Sequence, residues 1–374
     1  MSDERLLETF LDLVRIYSPS RRESGVASYC ARQLSALGFE VDFDDAAFVT
    51  GSDTGNLIAR LPGTGTGSER RRLVLSAHMD CVEPCEDVSP AIREGAVFSD
   101  GTTVLGADDK VGIAVILECM RRRRESSAAR PDLQVVLTVQ EEVGLHGAKA
   151  LAPERVSGAD LCLVLDAEGP PGGIIVAAPT HYTFVAAFEG RSAHAGVAPE
   201  HGVNAIALAS RAVDRMRLGR LDDVTTANVG SIAGGSATNV VPSLVTMTGE
   251  CRSLDRPRVE ALRAEMDQTM REAAASGGGR ADVVWTLEYE SFAVAEDDPL
   301  TALMAKACAD VGLEPLLLRT GGGSDANIFS ALGVPTLAIS CGMQNVHSVE
   351  ESIELEDLHA LAALIDSVIA RLAV

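Results

Sequence analysis

Short, continuous runs of apolar residues recur along this chain, and they predict strands that are buried on both faces of a parallel sheet. Four of them are Leu73 to Ala77, Leu133 to Val139, Leu161 to Leu165 and Pro335 to Ile339. Stretches with helical spacing lie between the runs, for example Val111 to Met120. Strands that alternate with crossover helices are typical of an α/β sheet.

The pattern changes after a segment rich in glycine and proline at residues 169–173. From about residue 180 the predicted order becomes strand, helix, strand, strand, helix, strand, and the helix–strand alternation returns at Pro299. We therefore predict a larger domain of residues 1–179 and 292–374, with a smaller α+β domain of residues 180–291 inserted into it. The predicted fold class is α/β, with a mixed, mostly parallel central sheet flanked by helices.

Histidines and carboxylates follow the ends of the apolar runs. Ligands bind just beyond the carboxyl ends of strands in such sheets, so segments far apart in sequence can deliver polar groups to one edge. One further carboxylate stands immediately ahead of the helix at Val111 to Met120. The residues concerned are His78, Asp80, Asp108, Glu141, Glu142, Asp166 and His347.

The types of residue in these clusters indicate a site for two metal ions. Glu141 and Glu142 are adjacent carboxylates, which repel each other unless a cation or open water compensates them. One of them can bind metal while the other takes a proton from water. A single carboxylate such as Asp108 spans the ~3.5–4 Å that separates the ions of two-metal sites. On an extended segment Asp80 shares a face with His78 and can fix the orientation of its imidazole.

Five motifs make the sequence similar to the M20 family of metallopeptidases, and most of all to its peptidase T branch, the tripeptide aminopeptidases. They are residues 76–80 (SAHMD), 103–112 (TVLGADDKVG), 141–144 (EEVG), 190–196 (GRSAHAG) and 239–242 (NVVP). The resemblance runs from the first predicted helix to the last. It implies a zinc-peptidase-like catalytic domain, with the inserted domain as a lid of the dimerisation type.

The resemblance also implies a set of metal ligands. His78 and Asp166 would bind one ion, Glu142 and His347 would bind the other, and Asp108 would bridge the two. The implied cofactors are two divalent ions, Zn²⁺ in the first place, with Co²⁺ and Mn²⁺ as alternatives.

Further roles follow from the same resemblance. Asp109 is the rival of Asp108 as the bridging ligand, because the motif can be read one residue later. Asp80 would support His78, and Glu141 would be the general base. The expected reaction is metal-dependent hydrolysis of a peptide bond in a short peptide, with release of the N-terminal residue, by a water molecule activated between the metal ions.

In the inserted domain, His194 resembles the lid histidine of the family, which contacts the substrate carbonyl. Asn239 and Arg252 resemble lid residues that hold the backbone and the carboxylate of the substrate. The lid also offers an edge strand through which a homodimer could form. One departure from the branch is Cys81, which stands where threonine is usual and is followed by Cys85; packing is the simplest expectation for both thiols.

The sequence leaves two alternative functions to consider. An N-acyl amino acid deacylase or a carboxypeptidase of the same superfamily would use the same ligands, since all of these enzymes cleave amide bonds. A nucleotide-binding module would need a glycine-rich phosphate loop. The glycine runs at 63–67 and 321–323 lack the spacing of such loops.

Composition restricts the partners. The 374 residues carry a formal net charge of −22, which argues against nucleic acid or an anionic membrane surface as a partner. The charged N-terminus lacks the apolar core of a secretory signal, and no apolar stretch approaches the ~20 residues that span a bilayer. The expectation is therefore a cytoplasmic protein that acts on short peptides.

Overall fold

The computed structural model describes residues 2–64, 70–126 and 128–373. The glycine run at 63–67 lies in part outside the described residues. The chain divides into two compact units: one of Met1–Val176, Ala293–Arg319 and Ser324–Val374, and one of Ala177–Phe292 and Thr320–Gly323.

The helices of the described residues are α1 (Ser2–Val14), α2 (Ser24–Ala36), α3 (Ala46–Thr50), α4 (Ala107–Ser126), α5 (His146–Ala150), α6 (Ala205–Arg215), α7 (Arg256–Ser276), α8 (Pro299–Asp310), α9 (Asp325–Ala331) and α10 (Leu355–Leu372). The strands are β1 (Glu40–Phe43), β2 (Leu57–Leu61), β3 (Arg72–His78), β4 (Ala91–Arg93), β5 (Ala96–Phe98), β6 (Asp132–Thr138), β7 (Leu161–Ala167), β8 (Gly173–Ala178), β9 (Thr180–Glu189), β10 (Gly219–Asp222), β11 (Thr225–Gly234), β12 (Leu244–Ser253), β13 (Arg280–Tyr289), β14 (Phe292–Ala293), β15 (Leu316–Arg319), β16 (Thr336–Ser340), β17 (Met343–Gln344) and β18 (Ser352–Glu354).

The large sheet has the strand order β1-β2-β6-β3-β7-β16-β8-β14, and β15 also pairs with β8. Its middle is parallel, since β3 pairs in parallel with β6 and β7, and β16 pairs in parallel with β7. The pairs β1–β2, β2–β6 and β16–β8 are antiparallel. These four parallel strands coincide with the four apolar runs, so the predicted fold class is confirmed.

The helix α4 is the central helix of the first unit. Its apolar side chains from Val111 to Met120 are buried, and it packs against α1, α10, β3 and β7. An added Cβ at Gly112 would lie 2.6 Å from the carbonyl oxygen of Leu165. Glycine therefore allows α4 to approach β7 at its N-terminal end, where Asp108 and Asp109 are located.

The second unit is an antiparallel sheet with the order β10-β11-β12-β9-β13. The helices α6 and α7 pack against it, and their first turns are capped by the side chains of Asn204 and Asp255. Its core is separate from that of the first unit and includes Phe184, Phe188 and Met247. The short strand β10 is an addition to the predicted order.

No described helix has the length and apolar character to cross a membrane.

Candidate metal centre

The carboxyl ends of the parallel strands bring the predicted ligands into one place. His78 is the last residue of β3, Asp166 lies near the end of β7, and Glu142 follows β6. Asp108 stands at the start of α4, and His347 lies between β17 and β18. Asp108 and Asp109 have non-helical φ and ψ angles, so regular helix begins only after them.

The carboxylate of Asp108 faces both imidazoles. Its Oδ1 lies 3.0 Å from Nε2 of His78, and its Oδ2 lies 3.2 Å from Nε2 of His347. Each imidazole also has a carboxylate of its own: Asp166 Oδ1 is 3.6 Å from His78 Nε2, and Glu142 Oε2 is 2.9 Å from His347 Nε2. The arrangement is two histidine–carboxylate pairs with one carboxylate between them.

Asp109 is placed differently from Asp108. Its Oδ2 accepts a hydrogen bond from the backbone N–H of His78 at 3.1 Å, and its Oδ1 accepts one from Gly112 N–H at 3.2 Å. An oxygen of Asp109 also lies within 4.8 Å of ligand atoms of His78 and Asp166. Since only Asp108 spans both imidazoles, the geometry favours Asp108 over Asp109 as the bridge.

Carboxylates outnumber imidazoles in this cluster. Burial raises the pKa of Asp166 to about 7, and the neighbouring charge of Asp108 adds to the effect. Burial also raises the pKa of Glu142, although the hydrogen bond with His347 opposes it. Hydrogen bonds with Asp108 and Glu142 raise the pKa of His347 to about 10. The carboxylates therefore draw positive charge to this point, as protons on the imidazoles or as metal ions.

Divalent metal ions fit this set of donors. Two imidazole nitrogens and three carboxylates are the ligand types that Zn²⁺ binds in proteins. Ligand atoms of His78, Asp108 and Glu142 lie within 4.8 Å of one another. Within the described part of the chain, Oε1 of Glu142 is buried and accepts no hydrogen bond, so it is an oxygen with spare capacity for a cation.

Asp80 contacts His78 and also holds the loop that follows β6. Its carbonyl oxygen lies 3.0 Å from Nδ1 of His78, and its Oδ1 lies 3.4 Å from the same atom. Its carboxylate accepts the backbone N–H groups of Glu141 at 3.0 Å and Glu142 at 3.3 Å. The hydroxyl of Ser20 donates to Oδ2 at 2.6 Å. Ser20 carries no sequence signal, since it is brought here only by tertiary structure.

Glu141 differs from Glu142 in its surroundings. Burial raises its pKa well above the usual value, and the charges of Asp166 and Asp325 act in the same direction. Asp325, at the start of α9, is 2% exposed and accepts the hydroxyl of Thr138. A carboxylate with a raised pKa beside a metal centre has the property expected of a residue that accepts and returns a proton.

The predicted lid residues do not form one cluster within the second unit. His194 forms a bridge with Val240, and Ala195 N–H donates to the carbonyl of Asn239, so His194 and Asn239 lie on neighbouring segments. Asn239 comes five residues before Leu244, the first residue of β12, and His194 lies beside the segment that contains Asn239. Arg252 lies at the other end of β12, eight residues or roughly 27 Å along the strand.

Arg252 is held by an acidic partner. Its Nη2 lies 2.8 Å from Oε2 of Glu250, and its Nη1 donates to the hydroxyl of Tyr289 at 3.2 Å.

The thiols of Cys81 and Cys85 are buried and pack against Val104.

Known proteins with similar sequences and structures include several peptidases. The sequence model of the peptidase family M20/M25/M40 matches residues 74–371. The uncharacterized protein YqjE of Bacillus subtilis is 40% identical over 369 residues, which are 99% of this chain and 98% of that protein. The crystal structure of aminopeptidase PepT from Bacillus cereus has a TM-score of 0.92 and 39% identity, covering 100% of this chain and 99% of that one. A tripeptidase from Staphylococcus aureus has a TM-score of 0.95 and 35% identity, covering 99% and 98%.

Proposed function

Because the chain belongs to the peptidase family M20/M25/M40 and is a hydrolase of that family, we propose that it cleaves short peptides and releases their N-terminal residue. The likeness to an aminopeptidase and a tripeptidase over nearly the whole length of each chain supports this choice of substrate. We propose two Zn²⁺ ions as the cofactors, because the donors are imidazoles and carboxylates.

One observation carries the proposal: the two oxygens of Asp108 face Nε2 of His78 and Nε2 of His347, at 3.0 and 3.2 Å. In the proposed assignment Asp166 completes the set of His78, and Glu142 completes the set of His347. What two divalent ions supply at such a site is Lewis acidity, which lowers the pKa of water and polarises a peptide carbonyl.

The remaining chemistry belongs to residues of the chain. Glu141 would accept a proton from the attacking water as the C–O bond forms, and would return it to the departing amine as the C–N bond breaks. Asp80 would keep Glu141 and Glu142 in place through their backbone N–H groups. Neighbouring glutamates then act differently because Glu142 is paired with His347 while Glu141 stays available.

We propose that His194, Asn239 and Arg252 bind the substrate, as the family resemblance implies. The adjacency of His194 and Asn239 supports a shared role for these two residues. A homodimer formed through the second unit stays a prediction.

The test is metal stoichiometry measured together with a panel of substrates. We expect two zinc ions per chain by elemental analysis, and release of the N-terminal residue from tripeptides as detected by mass spectrometry. N-acyl amino acids and peptides that can only lose a C-terminal residue serve as the comparison. Faster cleavage of either class than of tripeptides would replace the aminopeptidase with a deacylase or a carboxypeptidase, and absence of metal would overturn the metal assignment.

A further inference from the structure

The carboxylate of Glu351 grips the segment that carries Asp108. Glu351 is 1% exposed, and each of its oxygens accepts a different backbone N–H group. Oε2 accepts from Gly106 at 2.7 Å, and Oε1 accepts from Asp108 at 2.9 Å. Both oxygens of one side chain act as acceptors, so this pair of hydrogen bonds fixes the main chain from Gly106 to Asp108.

The segment around Glu351 is itself held in place. It leads directly into β18, where Ser352 pairs with Phe98 of β5. The hydroxyl of Ser99, just after β5, donates to the carbonyl oxygen of Val349 at 3.1 Å. Glu351 is therefore a fixed point and not the end of a mobile loop.

Glu351 also lies four residues after His347, whose Nε2 is 3.2 Å from Oδ2 of Asp108. The two segments thus meet twice, once through the side chains of His347 and Asp108 and once through Glu351 and the backbone of Asp108. The turn at Gly106 has a φ of +72°, which a residue with a side chain rarely adopts. An added Cβ at Gly106 would lie 3.0 Å from Sγ of Cys81, so the turn has little freedom to shift.

We propose that Glu351 is a positioning residue of the metal centre, which sets the distance between the Asp108 carboxylate and the His347 imidazole and thereby the affinity for metal. The inference rests on the proposed function, because it takes Asp108 and His347 as ligands. Glu351 touches neither the metal nor the substrate in this scheme. It acts through the backbone of Asp108.

The variant Glu351→Gln keeps the size of the side chain and removes one of its two acceptors. Its amide NH₂ group would face a backbone N–H group, and two donors repel each other. Asp108 would then shift relative to His347. Substitution of residues that orient metal ligands typically lowers metal affinity ~10–100-fold, and we expect a loss in that range. The neighbouring variant Glu350→Gln is the matched control, because Glu350 carries the same charge and is exposed.

The experiment titrates Co²⁺ into the metal-free, full-length protein and into both variants, with calorimetry for affinity and visible absorption for the geometry around the metal. We expect weaker binding and an altered Co²⁺ spectrum for Glu351→Gln, with wild-type behaviour for Glu350→Gln. Circular dichroism checks that each variant is folded at the temperature of the titration.

Wild-type affinity and spectrum in Glu351→Gln would overturn the inference, even if the melting temperature fell, because that result describes a structural role alone. If Glu351→Gln does not fold, Glu351→Asp takes its place: its carboxylate is one methylene shorter and cannot reach both N–H groups, so unchanged Co²⁺ binding would again overturn the inference. A wild-type protein that binds no metal would instead contradict the proposed function, and the two failures are thus distinguished.

Discussion

Adjacent glutamates at the end of β6 have different partners, and the difference originates in one side chain. The carboxylate of Asp80 accepts the backbone N–H groups of both Glu141 and Glu142. With the main chain fixed, the side chain of Glu142 reaches His347 at 2.9 Å. Glu141 remains in a partly buried position where its pKa is raised by burial and by the charge of Asp166. A repulsive pair is thus divided into a candidate ligand and a candidate base.

The variant Glu141→Gln should separate binding from catalysis. Glutamine is close in size but cannot accept a proton, so we expect kcat to fall by ~10²–10⁴, the usual contribution of a general base. Metal stoichiometry should stay at the wild-type value. Elemental analysis and steady-state kinetics on a tripeptide measure the two quantities. Glu142→Gln is the comparison and should lose metal; normal turnover in Glu141→Gln would refute the role assigned to Glu141.

A second acidic residue, Glu250, predicts how the stability of the second unit depends on pH. Its hydrogen bond with His181, at 2.9 Å, lowers its pKa to about 2, and Arg252 acts in the same direction. A depressed pKa gives stability that is present above the unfolded-state pKa of about 4.3 and is lost as the pH falls towards 2. After allowance for solvent screening, we expect Glu250→Gln to cost about 1–2 kcal/mol at pH 7 and about half as much at pH 3, a pH that is still above the folded-state pKa.

Urea unfolding followed by the fluorescence of Trp285 measures this difference, because Trp285 packs in the second unit beside Phe184. Glu272→Gln is the control, since Glu272 is exposed on α7 and accepts only a surface hydrogen bond from Gln268 among the bonds described for it. An equal destabilisation by Glu250→Gln at both pH values would contradict the prediction.

The candidate site depends on how closely the helix α4 approaches the strand β7. The first residues of α4 deliver Asp108, and β7 delivers Asp166. Gly112 stands where the helix and the strand meet, and an added Cβ there would lie 2.4 Å from Oδ1 of Asp109 and 2.6 Å from the carbonyl of Leu165. A carbonyl in the middle of a sheet cannot move aside as the end of a side chain can.

Gly112→Ala should therefore be destabilising although alanine favours helix. The propensity gain is up to ~1 kcal/mol, while overpacking a tight contact costs ~1–3 kcal/mol. We expect a net loss of stability together with weaker metal binding, because α4 must move away from β7. Chemical denaturation and metal titration test both effects.

Gly25→Ala is the matched control for this variant. Gly25 lies in the first turn of α2, where an added Cβ would lie 2.8 Å from the Cγ2 methyl of Ile16, which is not a candidate ligand. We expect this close contact to cost stability as well, but to leave metal binding unchanged. Similar metal affinities for Gly112→Ala and Gly25→Ala would show that the helix–strand distance does not control the centre.

Long elements could be predicted from the sequence, and short ones could not. The strands β3, β6, β7 and β16 are continuous apolar runs, and burial on both faces requires that composition. The strands β4, β5, β17 and β18 have two or three residues each, too few to show any periodicity. These short strands form the small sheet that holds Glu351.

The same division applies to the side chains of the candidate site. The proximity of the five candidate ligands could be predicted, because each of them follows or precedes a recognisable helix or strand. They are His78, Asp108, Glu142, Asp166 and His347. Ser20 and Glu351 could not, because their roles come from contacts with residues 60 and about 245 positions away in the chain. A hydrogen bond between such distant segments leaves no local pattern, and only the folded structure reveals it.

The two units have separate hydrophobic cores. All five candidate ligands belong to the first unit, whereas the single tryptophan of the chain, Trp285, belongs to the second. The indole N–H of Trp285 donates to Asp267 of α7 at 3.2 Å, so its fluorescence reports on the packing of that unit. The two units can therefore be followed by different signals in the same molecule.

Removal of metal should lower the stability of one unit only. A ligand that binds the native state alone stabilises it by RT ln(1 + [L]/Kd), which is about 2.7 kcal/mol when the free ion is at 100 times its Kd. The far-ultraviolet circular dichroism signal comes mostly from the first unit, because that unit contains most of the described helices. A chelator should therefore lower the melting temperature measured by this signal by several degrees. The melting temperature measured by Trp285 fluorescence should stay unchanged, since the core around Phe184 contains none of the candidate ligands.

Added Zn²⁺ should reverse the shift in the circular dichroism signal. Mg²⁺, which prefers oxygen ligands, should not reverse it. A common shift of both signals would mean that the two units unfold as one, and no shift in either would mean that the centre at Asp108 does not hold metal in the native state.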